Sequence, residues 1–173
     1  MDIFAHSISG ALIGRAVRPK GNGWRAMVAY TALAGVSPDI DLPIALLGPE
    51  IWYKWHQIFT HSLVGLIWIP AVLSMIPCEF AGWRTRYSLA LAGWFLHVLL
   101  DFFALWPVPL LWPLSISKWN FPLLSSDFSW IVDMLLLIGL AFTFWDPAQR
   151  HARLIAAITA IVVTIWLFAG LPT

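Results

Sequence analysis

Six apolar runs, separated by short polar stretches, dominate the hydrophobic pattern of this 173-residue chain. They cover residues 3–17, 26–48, 58–77, 87–105, 128–145 and 154–171. A membrane-spanning helix needs about 20 apolar residues, whereas a barrel strand needs only about 9–11. The runs therefore predict an all-α, polytopic membrane bundle of five to six transmembrane or membrane-inserted helices, in which the first run is short. We expect residues 1–173 to form a single membrane-embedded helical domain.

The composition favours a lipid bilayer as the partner of this chain. Hydrophobic residues make up 60% of it and charged residues 11%, whereas soluble domains carry about 25% charged residues. The formal net charge of +1 argues against a nucleic-acid partner, which requires a basic face. The single cysteine, Cys78, excludes an intrachain disulfide and a cysteine-rich zinc site.

Lysine and arginine alternate between the polar stretches. The first, third and fifth stretches carry or adjoin eight basic residues: Arg15, Arg18, Lys20, Arg25, Arg84, Arg86, Arg150 and Arg153. The second and fourth carry only Lys54 and Lys118. Because basic loops stay in the cytoplasm, we expect a multi-pass protein of the inner (plasma) membrane whose stretches 48–57 and 106–127 face outward.

Seven acidic or imidazole side chains fall in the outer half of the predicted bundle. They are His6, Asp39, Asp41, His56, His61, His97 and Asp101. A charged Asp at mid-helix costs about 2.5–3.5 kcal/mol on insertion scales, so several such groups together indicate a neutralising cation. Imidazole and carboxylate without thiolate suit zinc, and manganese or iron with less preference. The number of carboxylates permits one or two ions.

Two of the local patterns differ in specificity. His97 and Asp101 are spaced i,i+4 and share a helix face, but this spacing is common by chance. The segment SPDID at 37–41 is more specific, because a proline breaks the helix directly before two acids. Irregular backbone at membrane depth is expected where it lines a cavity. The alternative is a kink whose acids bind backbone or water.

The segment around His61 has two interpretations. Thr60 and Ser62 could hold the imidazole through a hydrogen bond or could cap a helix. His56 precedes His61 by five residues, a step that does not share a helix face, so its participation stays open.

Other polar and aromatic residues have simpler interpretations. We expect Asp127 to cap the fifth apolar segment and Asp133 to make a polar contact between helices. Trp106 and Trp112 could wall a lipid-binding groove. His151 lies between arginines in a cytoplasmic stretch and is expected to be solvated.

Five short motifs in sequence order resemble the YdjM-like family of inner-membrane, metal-dependent hydrolases. They are Met1-Asp2 with His6 and Gly10, Pro38-Asp39-Ile40-Asp41, His56 through Ser62, His97 through Asp101, and Leu111 through Ser115. Together they cover roughly residues 1–117. That family is similar in motif order to zinc-dependent phospholipase C.

The resemblance implies a set of site residues. His6, Asp39, His61, His97 and Asp101 would be metal ligands, His56 and Asp41 possible further ligands, and Asp39 or Asp41 the general base. The chain departs from the family at His56-Gln57-Ile58, where His-Arg-Gly is usual, so the arginine of a phosphate clamp is missing. The later HxxxE pair of the soluble enzymes is also missing, which favours one or two metal ions over three.

The leading hypothesis is a membrane-embedded metal-dependent hydrolase acting on a phosphoester of a lipid or lipid-linked substrate. Metal-activated water would be the nucleophile. Two alternatives are a metal-ion or proton transporter and a non-catalytic membrane protein with a polar core. Transport is less favoured, because the cytoplasmic half has no matching ionisable residues along a path.

Overall fold

The computed structural model describes residues 3–17, 23–104, 106–121, 129–145 and 151–169. Within these ranges the chain forms helices α1 Ile3–Ala16, α2 Trp24–Val36, α3 Pro49–Trp55, α4 Leu63–Ser74, α5 Trp83–Phe103, α6 Ser129–Trp145 and α7 Ala152–Ala169. A 3-10 segment, Ser37–Leu47, follows α2. The all-α prediction is thus confirmed for these residues. Asp127, the predicted cap, lies outside the described ranges.

The predicted transmembrane spans are not confirmed. Among the helices of the described ranges, none has both the length and the apolar character that crossing a membrane requires. The run 26–48 divides because Pro38 starts the 3-10 segment and ends α2 at Val36. The run 58–77 starts its helix only at Leu63, because the residues before it form turns.

Close packing of α1, α2 and α5 places the polar cluster at their junction. Gly10 on α1 lies against the Thr31 carbonyl of α2, and Gly35 on α2 lies against the His6 carbonyl of α1. A Cβ atom at either glycine would overlap these backbone atoms. Small residues at such crossings let two helix backbones approach closely, so His6 comes within reach of α2 and α5.

Described residues in or beside the first, third and fifth polar stretches meet at one end of the bundle. The Arg15 guanidinium near the end of α1 lies 4.9 Å from the Trp24 ring at the start of α2 and 4.8 Å from the Phe144 ring near the end of α6. Phe80, before α5, packs against Gly23. The polar cluster around His6, near the start of α1, lies at the opposite end.

The stretch 106–121 folds back over the start of α4. Val108 and Trp119 pair as an isolated antiparallel bridge, with N···O distances of 2.8 and 2.9 Å. The Leu63 amide donates to the Leu110 carbonyl at 2.9 Å. These bonds hold the stretch beside α3 and the turn that precedes α4.

We predict that Gly35→Ala destabilises the protein by about 2–3 kcal/mol, in the upper part of the range for overpacking. The opposing atom belongs to the His6 backbone and cannot rotate away. Thermal unfolding in detergent, followed by tryptophan fluorescence, measures the effect. Gly82→Ala is the matched control, because a Cβ there meets no atom within 4 Å, and it should cost under about 1 kcal/mol. Equal melting temperatures for the two variants would refute the close crossing.

Candidate metal centre

Four ligand atoms from three elements lie close together. They are Nε2 of His61, Nε2 of His97, an oxygen of Asp39 and an oxygen of Asp101. The two nitrogens are 3.0 Å apart. Asp101 Oδ2 lies 3.3 Å from the His61 nitrogen and 3.5 Å from the His97 nitrogen, and Asp39 Oδ1 lies 3.7 and 3.6 Å from the same two atoms. The turn before α4, helix α5 and the 3-10 segment each contribute.

Five separations among these four atoms are close to the edges of a tetrahedron around a metal ion. Zinc bonds of about 2.0–2.2 Å to nitrogen and oxygen space tetrahedral ligands about 3.3–3.6 Å apart. The five separations above run from 3.0 to 3.7 Å. The set Asp39, His61 and His97 can therefore hold a metal ion, and two imidazoles with two carboxylates suit zinc, manganese or iron.

Hydrogen bonds behind the two imidazoles fix where their lone pairs point. Nδ1 of His97 lies 2.6 Å from the Gly35 carbonyl oxygen, which can only accept, so Nδ1 donates and Nε2 keeps its lone pair. The Thr60 hydroxyl donates to Asp41 at 3.3 Å, and its oxygen accepts from Nδ1 of His61 at 3.0 Å. We assign both protons to Nδ1 on this basis. Both Nε2 lone pairs then face the centre, as in ligated histidines.

Two further side chains hold the Asp101 carboxylate in place. His6 Nε2 lies 3.1 Å from Asp101 Oδ1, and the Gln57 amide donates to Asp101 Oδ2 at 3.3 Å. The His6 ring stacks on the His97 ring with centroids 3.6 Å apart. His6 is fully buried, and its Nδ1 has no hydrogen-bond partner among the residues that the structure describes. His6, His97 and Asp101 form a second group that could hold a metal ion.

Asp41 clamps the turn that carries His61. Its carboxylate accepts from Nδ1 of His56 at 2.9 Å, from the Gln57 backbone amide at 2.8 Å and from Thr60. Gln57 adopts a positive φ of 71°, a conformation that is uncommon outside glycine. That backbone conformation lets Gln57 contact two carboxylates at once, Asp41 with its amide and Asp101 with its side chain.

The two acids of the 3-10 segment are in different electrostatic states. Burial raises the pKa of Asp39 above its ordinary value, and the nearby imidazoles of His97 and His61 only partly offset this. Burial also acts to raise the pKa of Asp41, but the hydrogen bonds from His56 and Gln57 outweigh it, so the pKa of Asp41 lies below its ordinary value. Asp41 is therefore the more firmly ionised of the pair.

The structure brings together all seven side chains singled out from the sequence. His6, Asp39, His61, His97 and Asp101 surround one centre, while Asp41 and His56 lie beside it, with the His56 and His61 rings 6.0 Å apart. Asp39, Asp41 and His56 make a third group that could hold a metal ion. Asp133 lies on α6, outside these groups.

Sequence reasoning left one contributor to the site open and missed the roles of two others. Thr60 was given two interpretations, and the structure assigns the hydroxyl to His61 while Ser62 caps α4 by accepting from the Gly65 amide at 3.2 Å. Gln57 had been noted only as a missing arginine. The role of the Gly35 carbonyl cannot be predicted from a side chain. It is visible only in the structure, where the carbonyl lies next to His97 on α5.

Comparison with known proteins supports a membrane assignment. A family model described as YdjM inner membrane protein matches residues 1–171. The curated proteins named "Inner membrane protein YdjM" of Escherichia coli strain K12 and of Shigella flexneri are each 31% identical over 120 residues, which cover 62% of this chain and 57% of the relative. The match thus spans little more than half the length of these relatives. No solved structure matches the chain significantly.

We predict that Asp41→Ala destabilises the protein by about 2–4 kcal/mol, because three donors lose a charged acceptor. Thermal unfolding, together with limited proteolysis at the 56–62 turn, measures the change. Glu79→Ala removes an exposed carboxylate at the other end of the bundle and should cost about 0.5 kcal/mol or less. A clamp of this kind is excluded if Asp41→Ala unfolds and is cleaved like the control.

Proposed function

Since the chain belongs to the YdjM inner membrane protein family, we propose that it is a membrane-embedded, metal-dependent hydrolase that cleaves a phosphoester. Its centre would hold one divalent cation, most simply zinc, through His61, His97, Asp39 and Asp101. The observation that carries this proposal is the convergence of two imidazole lone pairs and two carboxylate oxygens at 3.0–3.7 Å. When each Nδ1 donates outward, two neutral imidazoles present their Nε2 lone pairs to each other, an arrangement that a bound cation would stabilise.

A divalent cation at this centre would supply a Lewis acid and lower the pKa of a bound water to about 7. Other residues of the chain would hold the four ligands in position. His6 and Gln57 hold Asp101 from one side, and Gly35 and Thr60 orient the two imidazoles. Such supporting bonds typically change metal affinity or activity 10–100-fold. In this proposal His6 positions Asp101, which differs from the ligand role that the resemblance implies.

The proposed proton-transfer group is His56, oriented by Asp41. His56 donates from Nδ1 to the Asp41 carboxylate at 2.9 Å, which leaves Nε2 as the acceptor. An imidazole fixed by a carboxylate is a common general base. Asp41 accepts three hydrogen bonds and is less suited to take a proton itself. This replaces the direct catalytic role of Asp39 or Asp41 expected from the sequence.

A lipid or lipid-linked substrate is proposed from the surface beside the centre. Tyr53 on α3 is 71% exposed, and Leu114 and Ile116 in the stretch 106–121 are 92% and 76% exposed. Large exposed apolar side chains favour contact with lipid. Because eight of the ten basic residues fall in or beside the first, third and fifth polar stretches of the sequence, we propose that a multi-pass chain in the inner membrane turns the centre to the periplasmic or extracellular side.

The metal assignment predicts a measurable loss of cation. Protein purified in detergent should carry about one divalent ion per chain, and His61→Ala combined with His97→Ala should carry less than about a tenth of that, since two of four ligands are gone. Elemental analysis by mass spectrometry measures both. His151→Ala, in an exposed position, serves as the matched control and should keep the wild-type content. The same content in all three proteins would refute the centre.

The proton-transfer assignment predicts a loss of turnover without loss of metal. His56→Gln should lower kcat for a p-nitrophenyl phosphoester by about 10²–10⁴, the usual contribution of a general base. The bound metal should stay at the wild-type level, because His56 is not a ligand in this proposal. Unchanged kcat would contradict the assignment.

Metal transport and hydrolysis predict different results for the same purified protein. Zinc uptake into proteoliposomes, with no phosphoester turnover by metal-loaded protein, would replace the hydrolase with the transporter. Conversely, turnover without uptake is the result that the proposal predicts.

A further inference from the structure

A small cleft opens beside the metal centre, between α3 and the stretch 106–121. Its volume is about 220 Å³, which is below the 300–1,000 Å³ of a site for a drug-sized ligand. Trp52 lies on one side, Trp106 and Pro107 lie on the other, and Lys118 adds the basic group. The cleft therefore has room for a headgroup rather than for a whole lipid.

The cleft and the metal centre share two residues. His56 and Gln57 line the cleft, and both donate to the Asp41 carboxylate. Gln57 also reaches Asp101 of the centre. The His56 ring stacks on Trp52 with centroids 3.6 Å apart, so the wall of the cleft and the proposed general base are one packed unit. A group held in the cleft lies next to the atoms that would react.

Lys118 gives this cleft its charge preference. Burial lowers the pKa of Lys118 from its ordinary value, and Asp41 partly offsets that effect. An ammonium group beside two indole rings would repel a quaternary ammonium headgroup, although aromatic walls alone often bind one. The same ammonium group attracts phosphate, for which lysine is a common ligand.

We propose that the cleft is the phosphate subsite of the substrate, with Lys118 as its anion-binding residue and Trp52 and Trp106 as its walls. This inference rests on the proposed function and names a substrate class for it: phosphoesters with an anionic headgroup, such as a lipid phosphomonoester, in preference to choline lipids. The turn lacks a positive charge, because Gln57 stands where arginine is usual in the family. Lys118, in the stretch 106–121, supplies that charge instead.

Binding of inorganic phosphate to zinc-loaded protein tests the subsite without any turnover. Titration calorimetry should show a Kd that Lys118→Gln weakens by about 10-fold or more, as expected for a lost charge-assisted hydrogen bond, and that Lys118→Arg largely retains. Lys54→Gln on α3, which lies outside the cleft lining, is the matched control and should bind like wild type. Metal content should be the same in all four proteins.

Competition in detergent micelles separates a lipid headgroup from free phosphate. Phosphatidate should displace inorganic phosphate at lower concentration than a soluble phosphomonoester does, while phosphatidylcholine should not displace it. If phosphatidate and the soluble ester compete equally, the subsite holds but its ligand is a free phosphoester. If phosphatidylcholine competes as well as phosphatidate, the charge preference is wrong.

Different results would overturn the phosphate subsite and the hydrolase proposal. A Kd for phosphate that Lys118→Gln leaves within twofold, or metal-loaded wild type that binds no phosphate, overturns the subsite and leaves the metal centre standing. Wild-type protein without metal overturns the hydrolase. Phosphate binding that still depends on Lys118 in such protein would support the subsite alone.

Discussion

Charge compensation inside a buried cluster is the constraint on which this structure depends. His61 and His97 direct two lone pairs at each other across 3.0 Å, and carboxylate oxygens of Asp39 and Asp101 complete the group. Apart from Asp39, these side chains are almost fully buried, so water cannot screen them and electrostatic interactions are strong. A bound cation would offset the carboxylate charge and the facing lone pairs. The metal proposal follows from this arrangement.

The backbone meets the constraint with a few local devices. Gly35 lets α1 and α2 approach, and its carbonyl oxygen accepts a hydrogen bond from Nδ1 of His97. Pro38 ends α2 so that Asp39 leaves the helix and turns to the centre. Asp41 then gathers the turn of residues 56–60 under the cluster. Because each device acts on the backbone, the cluster is built before any ligand binds, which is the preorganisation that metal sites and catalysis need.

Sequence reasoning succeeded where one local rule decided the outcome. His97 and Asp101 share a face because α5 runs uninterrupted through both, and Pro38 breaks α2 where its ring forbids an inner hydrogen bond. Sequence reasoning failed where contacts between distant segments determined the structure. The apolar runs overestimated the helices, and His56 joined the site through a turn instead of a helix face. Lys118 reaches the cleft only because the stretch 106–121 folds back, which no periodicity encodes.

Anomalous diffraction at the zinc absorption edge, from crystals of metal-loaded protein, tests the central claim most directly. The account predicts one strong peak about 2.0–2.2 Å from Nε2 of His61, Nε2 of His97 and one oxygen each of Asp39 and Asp101. A peak on other residues, or the two imidazoles still in contact with nothing between them, would contradict it.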